Sequence, residues 1–564
     1  MQKKSVREKR GETTLRELRP QLLLSLKRYS GKDFTQDLVA GVIVAIIALP
    51  LSIALALASG VSPEQGLYTA IVAGFVISAL GGSKVQIAGP TAAFATIVAG
   101  IVARNGMEGL AVATVLAGIL LVLMGLLRMG SMIKFIPYTI TTGFTAGIAV
   151  TILIGQIKDF MGLTFEKSPV ETMEKLEQVV TCIGTVNGYA VLVGCLALAI
   201  LIFWPKKLQK IPASLVAVLV TAAVVKLAKL PVNTIGDLYT ISSAPPAFRL
   251  PVFSYDVISS VLPDAFTIAI LAAIESLLSA VVADDMIDAH HNSNMELVAQ
   301  GVGNAASALF GGIPATGAIA RTAANVKNGG RSPVAGMVHA VVLLLVLVLL
   351  MPYAALIPMP CIAAILFQVA YNMSGWRVMV DTVKHSPKSD AAVLLLTFLL
   401  TVVFDLVVAI AVGLSLACLL FMTRMADVAV VQEWEYVEDN EIGNGRLKPV
   451  PAHVMVYEIT GPMFFGVADK IPHMDRDTEK NVLVLRMRAV PALDITALNG
   501  LRRLWGECKR RNIQVLFSHV NPQPMSVIQK AGFYDEVGAE NFQPNIDAAL
   551  ERAVVLREQT EAHT

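Results

Sequence analysis

Apolar residues along this chain gather in long blocks separated by short charged stretches. Blocks at about 38–59, 109–127, 187–204, 264–283, 333–351 and 389–404 each approach the roughly 20 residues that cross a bilayer core as a helix. Shorter blocks, interrupted by Gly and Pro, lie at 66–80, 90–103, 136–157, 212–230, 296–311, 316–326 and 355–372. The stretch 389–423 is almost wholly apolar apart from Asp405 and too short for two full spans, so it reads as two short helices with a turn near Asp405. About fourteen segments result, and an α-helical membrane domain is expected over 37–424.

Composition agrees with a lipid-solvated chain. Hydrophobic residues make up 55% of the 564 and charged residues 16%, against about 25% charged in soluble domains. The net charge of +2 gives no footing for nucleic acid. The first 36 residues are basic, with Lys3, Lys4, Arg7, Lys9 and Arg10 leading, and belong on the cytoplasmic side. Within them Thr13–Tyr29 reads either as an amphipathic surface helix or as a solvated tail. Starting from a cytoplasmic N-terminus, Lys84, Arg128, Lys134, Lys206, Lys207, Lys210, Lys327, Arg331, Arg377, Lys384 and Lys388 all fall in cytoplasmic loops. The less basic loops 104–108 and 158–186 fall outside, and an even number of crossings returns the chain to the cytoplasm at Arg424.

Beyond Arg424 the pattern changes. Residues 425–450 are polar, including Glu433, Glu435, Glu438 and Asp439, and are expected to be a linker. From 451 to 564 a small soluble α/β domain is expected. Its strands would be His453–Ile459, Val482–Met487 and Ile513–Phe517, with helices at 496–511, 522–531 and 545–557.

Two places in the membrane domain share a local grammar. One is Gly81-Gly82-Ser83-Lys84-Val85-Gln86-Ile87-Ala88-Gly89-Pro90-Thr91-Ala92-Ala93, the other Gly311-Gly312-Ile313-Pro314-Ala315-Thr316-Gly317-Ala318-Ile319-Ala320-Arg321. Each has a Gly-Gly pair, a non-helical stretch, then small residues opening a short helix. Each is the third segment of its half, and the halves run in opposite directions. This is the pattern of an inverted-repeat transporter. The helix opening at Thr91 runs about 13 residues to Arg104, or roughly 20 Å, so it begins inside the membrane. Bare backbone at that depth must line a cavity or be buried in protein. Two helix N-termini meeting there present N–H donors and positive dipole ends to one spot, which favours an anion. A single glycine pair would read simply as close helix packing.

Two charges stand out within the spans. Arg321 lies one turn into the second interrupted helix, where it could attract an anion, snorkel or pair with a carboxylate. Glu275 sits mid-segment with Ser279 one turn on, and could couple a proton or cation or form a fixed ion pair with Arg321. Asp284, Asp285, Asp288, His290 and His291 read as a solvated loop at the cytoplasmic mouth rather than a metal site. The five cysteines show no CxxC pairing, and no metal or cofactor is expected.

The strings Ala273-Ile274-Glu275-Ser276-Leu277-Leu278, Gly311 to Thr322 and Ala88-Gly89-Pro90-Thr91-Ala92-Ala93-Phe94 resemble the SulP anion transporters, and the C-terminal domain resembles STAS. Leu49-Pro50-Leu51-Ser52-Ile53-Ala54-Leu55 and Gln156-Ile157-Lys158-Asp159-Phe160 are similar to the bacterial DauA-type C4-dicarboxylate branch. The resemblance implies a 7+7 inverted repeat divided into core and gate domains, an elevator-like movement, a homodimer and a multi-pass inner (plasma) membrane location. It implies substrate contacts at Leu55, Thr91, Ala92, Gly317, Ala318, Ile319 and Arg321, with coupling at Glu275 and Ser279. Sodium-coupled bicarbonate members have Asp at the Glu275 position and Thr at the Ile319 position. Ile319 offers no oxygen ligand, so a proton is expected as the coupling ion rather than sodium. In the STAS-like domain Asp494-Ile495-Thr496 resembles a phosphorylation site of anti-sigma-factor antagonists and a place for a cytoplasmic partner. Its plainer reading is that Asp494 or Thr496 caps the next helix.

The function expected is therefore proton-coupled uptake of C4-dicarboxylates. Sulfate or bicarbonate transport, an anion channel and a membrane sensor with a STAS output are the alternatives. An enzyme is not expected, because the sequence has no P-loop, nucleophile elbow or metal-ligand cluster.

Overall fold

The computed structural model describes residues 18–131, 136–167, 169, 171–205, 211–404, 406–434, 436–438, 447–470 and 480–561. It divides into two compact units, Met1–Leu414 and Ser415–Thr564.

The first unit is helical. Helix α1 (Gly31–Ala58) starts at a capping box in which Ser30 and Asp33 satisfy each other's backbone N–H groups, and α2 (Pro63–Leu80) starts at a second one built from Ser62 and Gln65. Helix α3 (Ala95–Leu126) is continuous only in name. At Gly106 the backbone takes φ 66° and ψ −171°, which a side-chain-bearing residue rarely adopts, and this divides the two apolar blocks read from the sequence. After α4 (Tyr138–Met161), α5 (Gly188–Phe203) and α6 (Ala213–Ala228) the second half repeats the plan. It comprises α7 (Tyr255–Ile287), α8 (Ser293–Leu309), α9 (Ile319–Lys327), α10 (Val334–Ala354), α11 (Met359–Ser374), α12 (Lys388–Val403) and α13 (Leu406–Val428), the last of which runs on past Leu414 into the second unit. Counting α3 as two segments, each half supplies seven, as expected. The turn expected at Asp405 and the loop lysines Lys206, Lys207 and Lys210 lie outside the described residues.

Packing sorts the helices into two bundles. In one, α8 lies along α3 and α2, α7 along α3, and α10 against α1 and α2. In the other, α11 lies against α4 and α5, and α12 against α4. Where α3 crosses α8, Gly118 and Gly301 face each other so closely that a Cβ on either would meet the other's carbonyl oxygen. Among the described residues six helices are long and apolar enough to cross a membrane by length and composition, Gly31–Ala58 and Tyr255–Ile287 among them. Large apolar side chains such as Phe203 and Leu227 stand exposed on the outside, as a lipid-facing surface requires. Of the N-terminal run Thr13–Tyr29, the described part forms a short helix, Gln21–Ser25, and a 3-10 turn, Leu26–Arg28. The Gln21 N–H donates to the carbonyl of Gly81 at 2.8 Å, which ties this segment to the end of α2.

The second unit is a five-stranded sheet in the order β3 (Val430–Glu433), β6 (Val454–Thr460), β7 (Val482–Ala489), β8 (Gln514–Ser518), β9 (Phe542–Gln543). Strands β6 to β9 are parallel, with α14 (Ile495–Arg510), α15 (Pro522–Lys530) and α16 (Ile546–Glu561) alternating with them. The three strands and three helices expected here all occur. The expected linker 425–450 is corrected. Its Val430–Glu433 stretch pairs antiparallel with β6, and β4 (Tyr436–Glu438) pairs with β5 (Leu447–Pro449) as a separate hairpin. Two β-branched residues suffice for an edge strand when β6 supplies a free edge, and the polar flanks concealed them.

Candidate functional site

The two interrupted segments meet. Residues Ala88–Gly89 (β1) and Thr316–Gly317 (β2) pair antiparallel, Ala88 opposite Gly317 and Gly89 opposite Thr316. The Ala318 N–H donates to the Ile87 carbonyl at 2.8 Å, the Gly317 N–H to Ser276 Oγ at 3.0 Å and the Ile87 N–H to Thr322 Oγ1 at 3.0 Å. Backbone that leaves its helix inside the membrane thus finds partners in protein, which is the condition for its being there. Past the pairing both segments wind up again. The first passes through a 3-10 turn, Ala92–Phe94, into α3, and the second enters α9 directly. The opening N–H groups of each, at Ala92 and Ala93 and at Ile319, Ala320 and Arg321, have no acceptor within their own helix.

Glu275 of α7 closes this crossing. Its Oε2 accepts from Thr91 Oγ1 at 2.9 Å and from Thr316 Oγ1 at 2.9 Å, and the two hydroxyls lie 3.3 Å apart. One threonine from each half therefore clasps the same carboxylate oxygen. Thr91, Glu275 and Ala318 are partly exposed, and Ile319 is 46% exposed, so these four form the accessible face.

The other expected site residues lie behind that face. Leu55, Ala92 and Gly317 are buried. Ser279 is buried too, and its hydroxyl lies 3.5 Å from Thr322 Oγ1 rather than facing Glu275. Arg321 is 1% exposed, and its Nη2 donates to Ser52 Oγ at 3.2 Å and to the Pro90 carbonyl at 3.3 Å. Arg321 is thus a buried positive charge beneath the first interrupted segment, with Nε and Nη1 unpartnered. The ion pair between Glu275 and Arg321 is corrected, since the described ion pairs do not include it. The first turn of α9 aims Arg321 at α1, while Glu275 is already held by two hydroxyls. At the mouth of α7, Asp285, Asp288 and His290 are exposed as expected of a solvated loop, but Asp284 and His291 are not. His291 Nδ1 lies 2.7 Å from Asp284 Oδ2, its Nε2 lies 2.9 Å from Ser293 Oγ, and both members of the pair are largely buried.

Thr316 and Ser276 are the residues sequence reasoning passed over. The signal for Thr316 was available, because each break carries a threonine next to a glycine or proline. In the second unit Asp494 caps α14, with Oδ1 accepting from the Ala497 N–H at 2.8 Å and Oδ2 from the Phe465 N–H at 2.9 Å, and Thr496 is exposed beside it.

Residues 34–397 match the sulfate permease family and residues 447–549 the STAS domain. The chain belongs to the sulfate permease family, and is a multi-pass membrane protein of that group of anion transporters. It is 41% identical over 529 residues to the putative sulfate transporter YvdB of Bacillus subtilis, covering 92% of this chain and 97% of that one. It is 31% identical over 550 residues to the bicarbonate transporter BicA of Picosynechococcus sp., covering 93% of this chain and 95% of that one. The structure of the transmembrane domain of a cyanobacterium bicarbonate transporter BicA matches with TM-score 0.60 at 31% identity, over 69% of this chain and 98% of that one. The overall structure of SLC26A9 shares the fold, with TM-score 0.85 at 19% identity over 99% of this chain and 96% of that one.

Proposed function

We propose that the chain is a secondary active transporter that takes up a small oxyanion together with a proton, the anion lying against the accessible face of the crossing and Glu275 carrying the proton. The observation that supports it most is the convergence of Thr91 and Thr316 on Glu275 beside two helix N-termini. The helix ends favour negative charge, and the carboxylate is bonded to a threonine just ahead of each of them. Arg321 adds a fixed positive charge from behind. Ile319, exposed where an oxygen ligand would be needed, supports a proton over sodium.

The names of the relatives put sulfate and bicarbonate among the candidate anions, and the Leu49–Leu55 and Gln156–Phe160 strings put C4-dicarboxylates there. The division into two bundles supports an elevator-like movement of one bundle against the other. The rest of the proposal is a homodimer in the plasma membrane with both termini cytoplasmic and with the STAS domain as a place for a protein partner or for phosphorylation at Thr496.

The test is uptake of labelled sulfate, bicarbonate and fumarate into proteoliposomes, with proton or sodium gradients imposed separately. The parent chain should respond to acid outside and not to sodium. Glu275→Gln should lose the acid-driven component. Acid stimulation that survives this substitution unaltered refutes Glu275 as the carrier.

A further inference from the structure

Glu296 is a carboxylate with no exposed surface, on the first turn of α8, away from the accessible face of the crossing. Its Oε2 accepts from the Gly82 N–H at 2.9 Å and the Ser83 N–H at 3.2 Å. Its Oε1 accepts from Gln86 Nε2 at 3.0 Å and Gln300 Nε2 at 2.9 Å. Four donors thus converge on one side chain, and three of them belong to the loop that leads into the first interrupted helix. The same loop is tied a second time to the start of α8, where the Asn292 N–H donates to the Gly82 carbonyl at 3.0 Å.

Gln86 carries this hold across to the other half. Its amide lies directly against Gly317, so closely that a Cβ on Gly317 would overlap it. Gly317 in turn pairs with Ala88 and precedes Ala318, whose N–H is bonded to Ile87. A single path of contacts therefore runs from Glu296 through Gln86 to the point where the second helix opens.

We infer that Glu296 is a positioning residue for the anion site, fixing the height at which both interrupted segments cross, and this rests on the transport reading above. It touches no substrate. It acts by holding Gly82, Ser83 and Gln86 so that the N–H groups at Ala92 and at Ile319 point to one spot. What matters is the set of four hydrogen bonds it makes, not its charge. An amide in its place can keep all four bonds. Its oxygen would accept from Gly82 and Ser83. Its NH2 would face Gln86 and Gln300, whose own Oε1 atoms are buried without a partner and can turn to accept.

The experiment uses the full chain in proteoliposomes, with sulfate and bicarbonate as probes, and the anion-dependent rise in unfolding temperature of the solubilised protein as a second measure of affinity. Glu296→Ala should raise KM about tenfold while the maximal rate stays within about threefold, the signature of lost ground-state binding. Glu296→Gln should keep KM within about threefold of the parent. If Glu296→Ala does not fold, Gln86→Ala takes its place and should raise KM in the same way. An unchanged KM in the folded alanine variant overturns the proposal. So does Glu296→Gln failing as badly as Glu296→Ala, since charge would then be what counts. A parent chain that moves neither probe, yet shows the expected pattern of anion affinities, refutes the transport reading and leaves the positioning role standing.

Discussion

The two interrupted segments occupy corresponding places in their halves, yet they are held by different chemistry. The first loop is fastened by the charged Glu296, which gathers Gly82, Ser83 and Gln86. The second is fastened by neutral groups. Asn304 exchanges two bonds with Ala315, at 2.8 and 2.9 Å, and Thr69 Oγ1 accepts from the Ile313 N–H at 2.7 Å. The helices that follow differ as well. The first opens through a 3-10 turn and brings no charge near its start, whereas the second opens directly and carries Arg321 in its first turn. The shared part is small: two pairs of β residues, and one threonine from each half on Glu275. A pseudo-symmetric frame thus preserves only the crossing and the threonine clasp. The positive charge comes from the second half alone, and the buried carboxylate holding the frame bonds directly only to the loop of the first half, reaching the second through Gln86.

The largest effect should come from removing that one-sided charge. At an effective dielectric near 20, two unit charges about 8 Å apart attract by about 2 kcal/mol, roughly 30-fold in affinity. Arg321→Met keeps the length and apolar volume of the side chain, and KM for sulfate should rise by about that factor in proteoliposome uptake. An unchanged KM would mean that the helix ends suffice without the charge, and that the halves are more alike than their sequences.

What could be read from the sequence divides along the same line as this comparison. The apolar blocks, the double Gly-Gly grammar and the break at Gly106 are local, because span length and glycine placement are properties of contiguous residues. The cap at Asp494 was legible for that reason, its bond to Ala497 reaching only three residues on. The clasp joins residues 41 and 184 positions apart, and the Glu296 bonds to the first loop span more than 200. No periodicity encodes such pairs. The direction of Arg321 was also hidden: its place one turn into a helix was evident, but the rotation of α9 against α1 decides whether it meets substrate or Ser52. Strand β3 was lost because its partner β6 lies beyond the hairpin formed by β4 and β5.

A matched pair of glycines tests the asymmetry at closer range. A methyl at Gly317 would overlap the Gln86 amide, which is buried and held by Glu296 and so cannot retreat. Overpacking of this kind carries a penalty of about 1–3 kcal/mol. Gly317→Ala should therefore raise KM about tenfold in the same uptake assay. A rise of that size that Gln86→Ala reverses would place the clash on the Gln86 amide itself.

The partner of that substitution, Gly89→Ala, should have the smallest effect. Gly89 is paired opposite Thr316 as Gly317 is opposite Ala88, and a methyl there would also overlap a side chain, the guanidinium of Arg321. The atom in the way is Nη1, at the end of a long side chain and without a hydrogen-bond partner to lose. A small displacement of the guanidinium leaves the charge in place and strains only the weak Nη2 bonds to Ser52 and Pro90. KM should change by no more than about threefold, which corresponds to less than about 1 kcal/mol. Should Gly89→Ala prove more damaging than Gly317→Ala, the guanidinium is pinned where it lies. The tight half of the crossing would then be the one that carries the charge, and the ranking of the two halves would reverse.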